Sequence, residues 1–376
     1  MDSLTQATLG AAVAHACWQK ELGRKALIVG GLLGTLPDLD IIMYPLLDEV
    51  QRLYWHRGES HSVWFMMLGA FFFGWLLVRL PVGKWLSLYQ ASVGVFLIFS
   101  THVLIDLFTV YGTQLLAPVS RKGFSLNNFF IIDPLFTIPL LAGTVGAYVA
   151  KNETFSRRLN LSGLLLASFY AAWSFSVQSI ADQKFRLALT EKNIAVSRQV
   201  TSAGAFTTLL WRHIAETPDG FLIAYWSWFD DADRPIRFQF IPRSAEVIEQ
   251  IRETRTFQTV EWFSQGWWFV ADKDRNPVKV VDLRFSEIPS GRNQTADEWE
   301  WPFAWEFNVT TKDESPLKAV IPDLKDPVMT IKLLGQRIGG NEGWIATSPE
   351  APAADDLQPT ITANERRPSR TENSLY

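Results

Sequence analysis

Four long apolar runs in the first half of the chain are the feature that most constrains its fold. They cover residues 63–80, 86–105, 130–150 and 161–180. A helix needs roughly 20 predominantly apolar residues to cross the hydrocarbon core of a bilayer, and each run is close to that length. A soluble all-helical core gives similar runs, but several in succession with so few charges favour spanning helices. The sequence therefore predicts an α-helical polytopic membrane domain over residues 1–181.

The character of the chain changes near residue 181, because most of the charged residues follow it. Residues 182–200 are charged and helix-favouring, which predicts a helical linker. Residues 201–345 hold short aromatic and β-branched runs separated by turn signals, the pattern of antiparallel strands, with one helix expected around 244–254. Residues 346–376 are rich in Pro, Ala, Thr and charges, which predicts a disordered tail. The predicted fold is therefore a helical membrane domain followed by a mainly β (α+β) soluble domain.

The predicted β domain is rich in tryptophan, with ten of the sixteen in the chain. Core filling and cross-strand packing explain such residues in a β protein, and we expect that role here. A ligand groove or a contact with the membrane surface is the alternative. His213 lies alone among apolar residues of this domain, which predicts a structural role.

Composition narrows the possible chemistry. The single cysteine excludes an internal disulfide and a cysteine-based zinc site, so any metal would be bound by His, Asp and Glu. The net charge of -4 gives no support for nucleic-acid binding. The first residues lack the basic region of a cleavable signal peptide. Four of the five histidines lie within the first 102 residues, and this clustering in apolar sequence is the first indication of a metal site.

The candidate ligands form three motifs. Asp38 and Asp40 follow Pro37 in a broken apolar segment, and they share one side if the chain there is extended. A turn stabilised by aspartate–backbone hydrogen bonds is the alternative. In the third motif, His102 and Asp106 are four residues apart and therefore lie on one helical face, from which both reach one metal. A His–Asp hydrogen bond at a helix end is the alternative.

The second motif is HRGESH. His56 and His61 are five residues apart and would not converge on one regular helix, but Gly58 breaks the helix and lets both turn toward one centre. Arg57 between them is suited to binding an anionic group bidentately. His15, near the end of the first predicted helix, is either a further ligand or a buried, hydrogen-bonded histidine.

Alternation of the predicted spans places all these motifs at one membrane face, because they flank successive helices. Asp133, at the start of the third span, falls on the same face. The C-terminal domain is expected there too. Basic residues are more frequent in the opposite loops, which by the positive-inside rule favours a periplasmic site; they are Arg79, Lys84, Lys151, Arg157 and Arg158.

The ligand set is larger than one metal ion requires. Four protein ligands complete a structural zinc site, and catalytic sites keep one position open for water. Four histidines and three aspartates suffice for two ions, which together activate water and stabilise charge on a phosphoryl group.

Five sequence motifs together resemble a known family. They are MDSLTQATLGAAVAHA, GLLGTLPDLD, HRGESHS, THVLIDLFTVYGTQL and FFIIDPLFTIPLL. They resemble the YdjM-like family of bacterial inner-membrane proteins, described as predicted membrane-bound metal-dependent hydrolases. More distantly, the H-x-x-x-D element is similar to the metal sites of zinc phospholipase C and of single-strand-specific zinc nucleases.

The resemblance implies a divalent-metal site and hydrolysis. The ligands that it implies are Asp38, Asp40, His56, His61, His102 and Asp106, with Asp133 as a weaker candidate. One position departs from the family pattern, because many relatives have His where this chain has Gln6. That departure implies either that fewer metal ions are bound or that His15 replaces the missing ligand.

These observations predict a multi-pass protein of the bacterial inner membrane that is a metal-dependent hydrolase of phosphoester or phospholipid-type substrates. We expect one to three bound divalent ions and favour zinc as the metal. We expect Asp40 and Arg57 to be catalytic residues. The expected partners are membrane lipid and a small-molecule or lipid substrate. The alternative is a non-catalytic membrane protein with a structural or metal-handling site and a partner-binding β domain.

Overall fold

The computed structural model describes residues 1–288, 299–309, 318–320 and 326–341. Its N-terminal region consists of seven α-helices and two 3₁₀ segments, Pro37–Leu46 and Glu59–His61. The helices are α1 (Ser3–Leu22), α2 (Lys25–Thr35), α3 (Glu49–Trp55), α4 (Val63–Arg79), α5 (Leu88–Leu107), α6 (Pro134–Val149) and α7 (Glu153–Glu191). Antiparallel sheets follow. The predicted fold class, helical and then mainly β, is confirmed.

Two helices, α5 and α7, are each long and apolar enough to cross a membrane. Two bent helix pairs also pass this test of length and composition, which brings the candidate spans to at most four. They are α2 with the following 3₁₀ segment, and the stretch 49–61 with α4. Helix α6 is apolar but shorter than the predicted run at 130–150, because the side chain of Asp133 caps it and Pro134 is its first residue. Many large apolar side chains on the outer faces of α4, α6 and α7 are exposed, as expected of helices that face lipid.

Glycines allow close packing of α1 on α2. A Cβ added to Gly34 would lie 2.8 Å from the Gln6 carbonyl oxygen and 3.0 Å from the Gly10 Cα. A Cβ on Gly10 would lie 2.4 Å from the Gly30 carbonyl oxygen. These backbones are therefore closer than any larger residue permits, as in other membrane helix pairs that meet through small residues. The pairing fixes the C-terminal end of α2 against α1 and α5.

The C-terminal region contains two four-stranded antiparallel sheets. The first has the order β1 (Arg198–Ala203), β2 (Leu210–Glu216), β3 (Gly220–Ser227) and β4 (Gln239–Pro242). The second has the order β5 (Trp268–Ala271), β6 (Val278–Asp282), β7 (Ala304–Phe307) and β8 (Lys318–Ala319). Two α-helices accompany them, α8 (Arg255–Phe263) and α9 (Pro327–Ile338). Most of the described tryptophans here are buried, as core filling predicts; they are Trp211, Trp226, Trp267, Trp268, Trp299, Trp301 and Trp305.

Three boundaries differ from the sequence prediction. The predicted linker at 182–200 is helical only to Glu191, because Asn193 adopts a left-handed conformation that ends the helix, and β1 starts at Arg198. The predicted helix at 244–254 is a 3₁₀ segment, Ala245–Ile251, because the Thr254 side chain caps the N-terminus of α8. The tail at 346–376 and Trp344 lie outside the described residues.

The β region packs directly on the loops that carry the sequence motifs. Trp262 of α8 stacks on Tyr54 of α3 with ring centroids 4.5 Å apart. Its indole nitrogen also donates a hydrogen bond to the Arg121 carbonyl, at 3.1 Å. The Ala203 amide of β1 donates to the Asn127 carbonyl at 2.9 Å. The motif-bearing end of the helical region is therefore the end that contacts the sheets.

Candidate metal centre

Helix α5 supplies two of the candidate ligands. A capping box at Ser87 starts the helix, and His102 and Asp106 lie one turn apart near its C-terminal end. The His102 Nδ1 is 2.7 Å from the Gly34 carbonyl oxygen. Because a carbonyl oxygen only accepts, Nδ1 is the donor in this bond, and Nε2 faces the Asp106 carboxylate 3.5 Å away. This is the arrangement in which a histidine binds a metal through Nε2.

His61 is oriented in the same way from a different element. It ends the 3₁₀ segment Glu59–His61, just before α4. Its Nδ1 lies 2.9 Å from the Ser60 hydroxyl, and that hydroxyl donates to Asp40, so Nδ1 is the donor of the pair. The His61 Nε2 therefore points into the same centre. It lies 3.2 Å from the Nε2 of His102 and 3.0 Å from the Oδ2 of Asp106.

Asp38 completes the group from the 3₁₀ segment Pro37–Leu46. Its Oδ1 lies 3.4 Å from the Nε2 of His61 and 3.5 Å from that of His102. The expectation of an extended chain after Pro37 is wrong. In a 3₁₀ helix with three residues per turn, residues two apart point about 120° away from each other. Asp38 therefore faces the histidines, whereas Asp40 faces the HRGESH loop.

The four side chains fit one tetrahedral divalent ion. One ligand atom from each of Asp38, His61, His102 and Asp106 lies within 4.8 Å of all the others. Zn–N and Zn–O bonds of about 2.0–2.2 Å place neighbouring tetrahedral ligand atoms roughly 3.3–3.6 Å apart; the distances above, 3.0–3.5 Å, are close to this spacing. In the described part of the chain, the Asp106 Oδ2 is buried and has no hydrogen-bond partner. Two imidazole nitrogens and two carboxylate oxygens thus face one another, an arrangement that a cation stabilises.

Asp40 and His56 form a second pair beside this group. The His56 Nδ1 lies 3.2 Å from the Asp40 Oδ1. The Asp40 Oδ2 accepts hydrogen bonds from the Arg57 amide at 3.0 Å and from the Ser60 hydroxyl at 3.3 Å. Arg57 has a positive φ of 54°. Asp40 therefore stabilises a turn that directs His61 to the metal ligands and His56 to a position beside them.

Arg57 neutralises the buried carboxylate of Asp106. Its Nη2 lies 3.0 Å from the Asp106 Oδ1, and its Nη1 donates to the Thr109 hydroxyl at 2.8 Å. The guanidinium also lies over the Tyr111 ring, 5.0 Å from its centroid. A carboxylate near a helix C-terminus opposes the helix dipole, and this cation compensates for it. Burial raises the pKa of the Tyr111 phenol, so the ring remains a neutral surface for the cation.

Gln6 also contacts Asp106. Its amide nitrogen donates to the Asp106 Oδ1 at 3.1 Å and to the His102 carbonyl at 3.3 Å. The Met1 amino group contacts the same carboxylate oxygen. The residue that departs from the family pattern is thus a neighbour of the candidate ligands, and it donates to a ligand where many relatives carry a histidine.

Comparison with known proteins agrees with this geometry. Residues 1–182, which include all four clustered ligands, match the family of YdjM inner membrane proteins. This part of the chain is therefore similar to the YdjM inner membrane proteins. A Bacillus subtilis (strain 168) protein described as the uncharacterized protein YfhP is 28% identical over 282 residues, which are 69% of this chain and 77% of that protein. No solved structure matches.

Other predicted site residues of the YdjM region lie away from the four. The His15 Nε2 lies 3.3 Å from the Ser156 hydroxyl of α7. Nine residues separate His15 from Gln6 on α1, about 14 Å along the helix axis. Asp133 caps α6 and accepts a hydrogen bond from the Tyr170 hydroxyl at 3.0 Å. Neither residue joins the cluster. Sequence reasoning did not find Thr109 and Tyr111, whose signal is their place within five residues after Asp106.

The candidate metal centre has a more accessible side. His61, His102 and Asp106 are buried, whereas the Asp38 and His56 side chains are each 18% exposed. The 3₁₀ segment that carries Asp38 exposes apolar residues outward, with Ile42 65% and Leu46 76% exposed. The accessible side of the centre therefore lies beside an apolar surface.

Proposed function

We propose that this chain is an integral membrane, metal-dependent hydrolase whose substrates are lipid-type phosphoesters. A single zinc ion would be held by Asp38, His61, His102 and Asp106. The observation that carries the proposal is the convergence of the His61 and His102 Nε2 atoms and the buried Asp106 Oδ2 on one point. When bound, the ion supplies Lewis-acid polarisation and activation of water at neutral pH.

The residues around the ligands have complementary roles in this proposal. With Nδ1 donating to Asp40, His56 has its Nε2 available for a proton from a group on the accessible side of the centre. Asp40 positions that imidazole, as the carboxylate of a catalytic triad positions its histidine. Arg57 keeps Asp106 ionised, and its buried Nε, which lacks a partner among the described residues, is the donor available to an anionic oxygen.

The surroundings of the centre support a lipid-type substrate. Its accessible side adjoins the exposed apolar face of the segment Pro37–Leu46. A lipid headgroup lies at the depth where such a face meets water, so the reacting phosphoester would reach Asp38 and His56 without leaving the membrane surface.

We further propose a multi-pass arrangement in the bacterial inner membrane with the β region on the side of the metal centre. Contacts such as the Tyr54–Trp262 stack support a common side. The basic residues in the opposite loops favour the periplasmic face for this end.

A structural or metal-handling site is the second candidate. Four protein ligands are sufficient to complete a tetrahedral zinc site, and three of them are buried. In that case the ion would stabilise the contact between α5, the HRGESH loop and the segment Pro37–Leu46, and the β region would bind a partner.

Metal analysis and hydrolysis assays on the detergent-purified full chain separate the two candidates. We expect about one zinc per chain in the wild type, loss of metal in His102→Ala and Asp106→Asn, and hydrolysis of a phosphodiester or phospholipid that chelation abolishes. His15→Gln is the matched control, because His15 is a buried histidine outside the cluster, and it should keep its metal. Bound zinc with no hydrolysis of any ester, and no effect of chelation, would support the structural site instead.

A further inference from the structure

A cavity of about 380 Å³ lies between the helical region and the sheets. Its walls come from the segment after α5, the segment before α6, the loops beside β1 and β6, and helix α9. Aromatic and aliphatic side chains dominate the lining, including Tyr111, Phe129, Phe206, Phe285, Phe303 and Ile331. The volume lies within the range of ligand pockets, roughly 300–1,000 Å³.

The charged residues in the wall are already paired. The Arg284 Nη2 lies 2.6 Å from the Asp282 Oδ2. Glu287 accepts hydrogen bonds from the Tyr225 hydroxyl at 2.6 Å and from the Arg212 Nε at 2.9 Å. Among the described lining residues, no other charge faces the cavity. The walls therefore match a hydrocarbon group, because a polar ligand would lose its hydration without gaining ionic partners.

The cavity opens toward the surface that we expect to face lipid. Three of its lining residues, Phe206, Ile131 and Ile331, are exposed and so mark its mouth. Ile131 lies just before α6, and α6 continues the apolar surface with exposed Leu135 and Ile138. Exposed apolar residues thus occur both at the cavity mouth and on the outer face of the neighbouring α6.

The inner wall of the cavity adjoins the metal centre. Thr109 and Tyr111 line the cavity, and both contact Arg57. Arg57 in turn contacts Asp106, a candidate metal ligand, at 3.0 Å. The path from the cavity to the metal ligands therefore passes through one side chain.

We propose that this cavity binds one hydrocarbon chain of a membrane lipid. The apolar walls, the lipid-facing mouth and the volume carry this step without reference to catalysis. A second step rests on the function proposed above: the bound lipid is the substrate, with its polar headgroup near Arg57. The substrate class would then be an amphipathic phospholipid with at least one long chain.

Photocrosslinking of the full chain in lipid nanodiscs tests the binding step. The probe is a phosphatidylethanolamine with a diazirine near the end of one acyl chain, and adducts are located by peptide mass spectrometry. We expect adducts on the peptides that carry Phe206 and Ile331. Ala205→Trp fills the cavity and should lower their yield at least 5-fold. Ala232→Trp, in an exposed loop outside the cavity, is the matched control and should leave the yield unchanged.

Ser286→Trp is a second variant that fills the cavity. For each variant, the metal content and the thermal unfolding midpoint show whether the protein has folded. Adducts confined to the outer faces of α4 and α7, with equal yields in all folded variants, would overturn the inference. Chain-end adducts in the cavity without hydrolysis of any ester would support the binding site and contradict the enzyme. Hydrolysis of phosphodiesters without adducts in the cavity would support the enzyme and contradict the binding site.

Discussion

Replacement of Gly34 by alanine should weaken metal binding although Gly34 is not a ligand. Its carbonyl oxygen accepts the hydrogen bond that fixes the ring orientation and tautomer of His102, at 2.7 Å. A Cβ at this position would lie 2.8 Å from the Gln6 carbonyl oxygen and 3.0 Å from the Gly10 Cα, both backbone atoms. Ordinary contacts need at least about 3.4 Å, so α1 and α2 must separate by roughly half an ångström.

The expected effect follows from that displacement. A shift of half an ångström lengthens the 2.7 Å Gly34–His102 hydrogen bond to about 3.2 Å, the upper end of the normal range, and so weakens it. Loss of a hydrogen bond that orients a metal ligand typically lowers metal affinity about 10- to 100-fold. This corresponds to roughly 1.4–2.8 kcal/mol of binding free energy. The same displacement moves Gln6, which donates to Asp106, and so acts in the same direction.

Gly31→Ala is the matched control on the same helix. A Cβ there would meet its nearest atom, the Ala7 carbonyl oxygen, at 3.5 Å, which is an ordinary contact. Alanine also favours a helix over glycine, so this variant should be at least as stable as the wild type. The assay is competition for zinc with a chromogenic chelator, using purified full-length protein in detergent. Equal zinc affinity of folded Gly34→Ala and Gly31→Ala would refute the reasoning.

Two further predictions concern the loop and the β region. Asp40→Asn should retain zinc but lower hydrolysis on the order of 100-fold, because the His56 imidazole loses its orienting carboxylate; hydrolysis at the wild-type rate would leave Asp40 a structural residue. Burial lowers the pKa of His213 to about 4 in the folded chain, an effect that outweighs attraction by Asp182, whereas an unfolded histidine titrates near 6.5. The unfolded chain therefore binds the proton first as pH falls, so this group should remove about 2 kcal/mol of stability between pH 7 and pH 5. Thermal unfolding midpoints measured across that range should depend less on pH in His213→Gln than in the wild type, and identical pH dependence would contradict this assignment.

Local sequence patterns predicted the features that depend on local physics. Long apolar runs predicted the helices because burial of a helix in lipid depends on length and composition alone. The four-residue spacing of His102 and Asp106 predicted their common face because both lie within one regular helix, α5. The abundance of tryptophan and β-branched residues predicted a β domain whose core the aromatic side chains fill.

The different roles of the individual polar residues depended on tertiary structure. Asp38 and Asp40 differ in role because the chain after Pro37 forms a 3₁₀ helix rather than an extended strand. His61 joins the ligands and His56 does not, because the left-handed Arg57 and the bonds to Asp40 direct the loop. Gln6 reaches Asp106 from a distant part of the sequence through the packing of α1.

The sequence by itself determined that the chain has apolar helices. It also determined which histidines and acidic residues are present, and that their spacing is typical of metal-binding motifs. Tertiary structure decided which four of them meet and where the interdomain cavity lies. The physical reason is the separation along the sequence over which each interaction acts. Hydrophobic periodicity acts over one or two helical turns, whereas the centre depends on the close approach of α2 to α1 and on the Gly34 carbonyl reaching His102 across 68 residues of sequence.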